Sequence, residues 1–186
     1  SKDMTKLEVA VGILSRNVES LNEVAKVLGK DNPIVKQATE KTVSPISCLL
    51  DKTAEFSKEK LDNAQMSKLL SSLNSVVNSL YTLVESELIS KEKIEEVSSK
   101  IINSSFVIVE NLLEVKLSGN VEVKIKETIK KLSENEKLDD STKEEIVIAL
   151  SNIAVLSGID IEMTSSMIDE GKLSEEGVFG YSGGDA

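Results

Sequence analysis

Carboxylates hold most of the acid–base potential of this chain. Glu92 and Glu96 stand one helical turn apart with Glu95 beside them, and Asp139, Asp140, Glu144 and Glu145 form a second acidic cluster. Paired carboxylates can act as general acid and base, or hold a hard cation, where a poorly solvated cleft displaces their pKa values. Neither cluster has that setting. The first lies among lysines on a helix surface, where partners one turn away account for it. The second lacks the alternating oxygen ligands and central glycine of an EF-hand loop, and its position suits helix capping. The run from Gly180 to Gly184, Gly-Tyr-Ser-Gly-Gly, has the glycine density of a phosphate loop or serine elbow. No apolar strand precedes it and no helix follows, so it reads as tail. Asn103-Ser104-Ser105 is a formal glycosylation sequon placed mid-helix. The single cysteine, Cys48, follows Ile46 and precedes Leu49 and Leu50, which suggests a buried, inert thiol.

What is missing narrows the chemistry further. The sequence has no histidine and no tryptophan, and histidine is the commonest metal ligand and neutral-pH general base. There is no Cys-x-x-Cys pair and no Glu-x-x-His of the di-iron bundles. The sequence therefore assigns no catalytic, cofactor-binding or metal-ligating residue. It points to a protein that is not an enzyme and carries no cofactor.

Charge bears on partners. Lys plus Arg number 22 against 32 for Asp plus Glu, a net charge of −10, which repels phosphate backbones and anionic membrane surfaces. Nucleic acid is excluded as an expected partner and membrane binding is disfavoured, the more so with Arg16 as the one arginine. No stretch approaches the ~20 apolar residues of a membrane span. One cysteine gives no disulfide framework, and the compartment stays open.

The elements follow from periodicity. Apolar residues make up 40% of the chain but aromatics only 3%, so the core must be Leu, Ile, Val and Ala, which suits helix-on-helix packing. Before Gly119 only Gly12 and Gly29 occur. Leu7, Val11, Leu14, Val18, Leu21, Ala25 and Leu28 alternate spacings of four and three on one face of a first helix, with Asp3 to cap it and Gly29 to close it. A second helix starts at Pro33 and meets Ser44-Pro45, where a break is favoured over a smooth kink. Residues 57–62 read as a link or a short turn of helix.

The third long helix buries Met66, Leu69, Leu73, Val76, Leu80 and Leu83 and turns Ser71, Ser72, Asn74, Ser75, Asn78 and Ser79 outward. The helix opened by Ser90 carries two apolar stripes, which makes it the candidate central helix. Another follows from Val121 to about Glu134. Ser141 to Glu144 has capping-box spacing, so the very apolar run from Ile146 to Leu156 reads as helix, with strand as the alternative. Short connections predict an up-and-down bundle of five to seven helices over residues 1–158. Residues 159–186 read as one short element, over Ile161 to Ile168, and a flexible tail from Gly177.

From Leu50 to Leu156 the order of segments "LLDKTAEFSKEKLDNAQMSKLLSSLNSVVNSL", "ISKEKIEEVSSKIINSSFVIVENLLEVK", "VKIKETIKKLSENEKL" and "IVIALSNIAVLSGID" resembles the helical subdomain of GAIN domains and the REJ region of polycystin-like proteins. The β-rich subdomain with its proteolysis motif has no counterpart here, so no self-cleaving residue carries over. The resemblance implies an extracellular or cell-surface scaffold. Without it, a cytoplasmic module fits equally. In either case the sequence predicts a non-enzymatic structural or protein-interaction module that binds another protein or its own copies. A bundle carrying an apolar ligand is the alternative.

Overall fold

A computed structural model describes residues 2–158, with side chains from residue 4 onward, and within them the chain is all-α. Seven helices follow one another: α1 Lys2–Leu28, α2 Pro33–Val43, α3 Pro45–Phe56, α4 Asn63–Glu85, α5 Lys91–Leu113, α6 Val121–Glu134 and α7 Asp140–Ser157. The expected short element over Ile161 to Ile168 and the tail from Gly177 lie outside the described residues.

The boundaries have local chemical causes. Asn32, Asp62, Ser90, Asn120 and Asp139 each sit in extended backbone, and each side chain accepts a backbone N–H of the following turn, which satisfies an otherwise orphaned donor. At α4 the cap is reciprocal, because Gln65 Oε1 accepts the Asp62 N–H at 3.0 Å. Gly29 and Gly158 close α1 and α7 at φ of +87° and +73°, a conformation that costs glycine nothing.

Two boundary expectations are corrected. Asp3 lies inside α1, which starts at Lys2. The cap of α7 is Asp139, not Ser141, whose hydroxyl instead meets the Ser67 hydroxyl at 3.2 Å. At Ser44-Pro45 the backbone of Ser44 stays helical, its N–H donates to Glu40 O, and its side chain caps nothing. Proline cannot continue the hydrogen-bond ladder, so the helix breaks there as expected: α2 ends at Val43, α3 starts at Pro45, and Ser44 alone joins them.

Helices three places apart in the sequence lie side by side. Ser15 meets Ser79 and Asn22 meets Ser86, both 64 residues apart, so α1 and α4 run parallel. Ser67 meets Ser141, Asn74 meets Glu145 and Tyr81 meets Asn152, so α7 runs parallel to α4 on its other side. A second layer holds α3, α5 and α6. Asp51 pairs with Lys100, Ser57 accepts from Asn111, and Lys124 lies over the Phe106 ring at 5.2 Å. After α5, residues 114–120 carry the chain back along it, tied by Leu117 N–H to Glu110 Oε2 at 2.8 Å.

The central helix is α4 rather than α5. It touches α1, α7, α3 and α5, and Leu69, Leu70, Leu73, Val76, Leu80 and Leu83 are fully enclosed. Its Ser/Asn face looks outward only in part: Ser71 and Asn78 are exposed as expected, but Ser72, Asn74 and Ser79 are buried. Small polar side chains let neighbouring helices approach closely, and their hydrogen-bonding groups find partners across the gap. Helix α5 holds the matching middle place in the other layer. The run from Ile146 to Leu156 is helical, with Ile146, Leu150 and Ile153 in the core.

Candidate interaction surface

The surface begins with the wheel of α1. Leu7, Val11, Leu14, Val18 and Leu21 point inward and are buried, as their spacing predicts. On the opposite flank a second row runs Val9, Ile13, Val24 and Val27, with Arg16 and Ser20 between them. Val9 to Val27 spans 18 positions, five turns of a 3.6-residue helix, so the row stays on one face. Val9 is 55% exposed, Val27 84% and Ile34 at the start of α2 63%. Leu28, at the end of the inward stripe, is also exposed, so this stripe fades where α1 outruns its neighbours. Because α1 lies at the edge of its layer, touching α4, α2 and α3, nothing in the chain described covers this row.

Beside the row, α1 and α3 frame an open groove of about 640 Å³. Leu7, Ala10, Leu49 and Phe56 make its floor, and Lys6, Lys52, Glu55 and Glu59 stand around it. A smaller groove of about 330 Å³ between α1 and α4 is lined mostly by Ser15, Ser71, Ser72 and Ser75 with Glu8 and Lys68.

The sequence-derived candidates sit apart from both grooves. Glu92 and Glu96 are exposed on α5, where Glu96 pairs with Lys93 at 3.4 Å. Asp139 is a helix cap, and donation from the Thr142 backbone N–H, then from its hydroxyl, holds the carboxyl below its ordinary pKa. Asn103 is exposed, but Ser105 of the same sequon is buried in the α5 core face. Gly180 to Gly184 lie outside the described residues. Among the described residues no group of three or more acidic or cysteine side chains is placed to hold a metal ion. No helix among them is long and apolar enough to cross a membrane.

Cys48 overturns its expectation: it is exposed. Its sequence neighbours Ile46, Leu49 and Leu50 are buried, but successive residues turn by about 100° on a helix, and Cys48 lands on the outer face of α3.

One ionic link ties loops together. Lys30, after α1, meets Glu87, after α4, at 2.7 Å. Hydrogen bonding and then the opposite charge raise the lysine pKa and lower that of the glutamate. Both side chains are well exposed, so the link registers the loops more than it stabilises them.

No protein-family model matches the chain, and neither a curated protein nor a solved structure matches it.

The α1 row was the feature that sequence reasoning missed. Its signal was present in Val9, Ile13, Val24 and Val27 at helical spacing, but the stronger stripe from Leu7 to Leu28 took the core assignment.

Proposed function

We infer that this chain is a non-enzymatic interaction module whose exposed α1 face binds another protein or a further copy of itself. The observation that carries this reading is the apolar row from Val9 to Val27, extended by Leu28 and Ile34. Exposed apolar residues scattered singly are ordinary, whereas apolar pairs gathered on one face of an edge helix are the kind of surface that partners cover. The net charge of −10 directs the expectation to protein rather than nucleic acid. Under the GAIN-like resemblance the same face would serve a scaffold at the cell surface.

The α1–α3 groove favours a second reading, a carrier of an apolar ligand, since its apolar floor and size fall in the range of ligand sites. Its open form and its four charged side chains would leave such a ligand half in water. The interaction reading therefore stands first. Native mass spectrometry over a concentration series separates the two. The expected result is a concentration-dependent assembly without added mass. A monomer carrying an extractable apolar compound of a few hundred daltons would make the protein a carrier instead.

A further inference from the structure

The geometry points to a second copy of this chain as the occupant of the α1 face, with the two α1 helices antiparallel about a two-fold axis near Val18. This rests on the interaction reading above and gives it a partner. The row is close to palindromic: two apolar residues, a polar centre and two apolar residues. In an antiparallel pair Val9 faces Val27 of the other copy, Ile13 faces Val24, and Arg16 faces Ser20. Apolar thus meets apolar at both ends over about 27 Å of helix, at 1.5 Å per residue. A parallel pair would set Arg16 against Arg16 at its centre.

Charge along the flank selects the same arrangement. Arg16 and Glu23 are two turns apart on one edge of the row and both are exposed. In this register the Glu23 of the other copy lies about 4.5 Å along the helix from the position opposite Arg16, a distance the long arginine side chain spans, making two equivalent ion pairs across the axis. Within its own helix Glu23 reaches Lys26 at 3.1 Å, a largely exposed contact that leaves the carboxylate free to take a second donor. An isologous contact of this kind closes on itself as a dimer. Half a dozen side chains per copy fall short of a standard interface, so the dimer forms weakly and dissociates on dilution.

Sedimentation equilibrium of the full chain, from low micromolar to several hundred micromolar, tests the pairing with four variants. Val27→Glu changes a side chain in solvent, so the bundle keeps its circular dichroism while the dimer is lost. Arg16→Glu and Glu23→Arg each replace two attractive pairs by two repulsive ones and weaken the dimer roughly tenfold. The doubly reversed variant restores it. A dimer indifferent to Val27→Glu, or a double reversal no better than its parents, overturns the arrangement. A clean monomer at every concentration overturns the pairing alone. A monomer that carries an apolar compound overturns the interaction reading with it.

Discussion

Asn74 holds the polar contact between α4 and α7 together. Its side-chain amide donates to Glu145 Oε2 at 2.9 Å and to Glu145 O at 3.2 Å, and its Oδ1 accepts from Asn152 at 3.1 Å. The Asn152 oxygen in turn accepts from the Tyr81 hydroxyl. Among the described residues no buried side-chain nitrogen or oxygen lacks a partner, so the chain of bonds is complete. Asn74→Ala would leave the buried Asn152 amide without its acceptor, at a cost of about 1–3 kcal/mol read by urea unfolding. Adding Asn152→Ala should cost less than the sum of the two single changes, because both belong to one network. Asp139 supports a pH prediction. Its folded pKa is depressed, so its contribution is present above the ordinary carboxylate pKa and is lost as pH falls through the folded value. Asp139→Ala should lower Tm at pH 7, and the gap to the unchanged protein should close in acid. Asp139→Asn, which still caps, should show little gap at pH 7. None of this network was visible in the sequence, where Asn74 is one polar residue in a Ser/Asn series. Periodicity ranks faces by hydrophobicity, and a satisfied polar core contact is invisible to it.

Between helices, closeness depends on small side chains. Ser15 and Ser79 face each other at 3.5 Å in the α1–α4 contact, with Ser79 buried. Ser79→Leu should destabilise by about 1–3 kcal/mol through overpacking. Ser79→Ala, which keeps the volume and loses a marginal hydrogen bond, should cost under about 1 kcal/mol. Thermal and urea unfolding of the pair would separate volume from polarity. Helix ends were the most legible elements, since Pro33, Ser90, Asn120, Gly29 and Gly158 all mark boundaries found in the fold. Caps and left-handed glycines act within a few residues, so local sequence reports them directly. The break at Ser44-Pro45 was legible for the same reason, because proline removes a helical hydrogen bond wherever it falls.

The bundle class and the inward stripes of α1, α5 and α6 follow from sequence, because an apolar face must be covered whatever covers it. Which helix lies beside which does not follow. Periodicity gave α5 the centre, whereas the fold gives it to α4, where Ser72, Asn74 and Ser79 are buried beside the leucines. The outer row of α1 was hidden for a related reason: with two apolar faces on one helix, sequence alone cannot say which one the chain itself will cover. The parallel placement of α1, α4 and α7 also bears on how the protein is made. The residues of α1 that meet α4 wait for partners 64 positions later in the chain. At about 5–20 residues per second of synthesis, that side of α1 remains uncovered for roughly three to thirteen seconds. During this interval the growing chain displays apolar surface on both sides of its first helix, and it depends on the solubility of its lysines and glutamates, or on a chaperone, to stay apart from its neighbours.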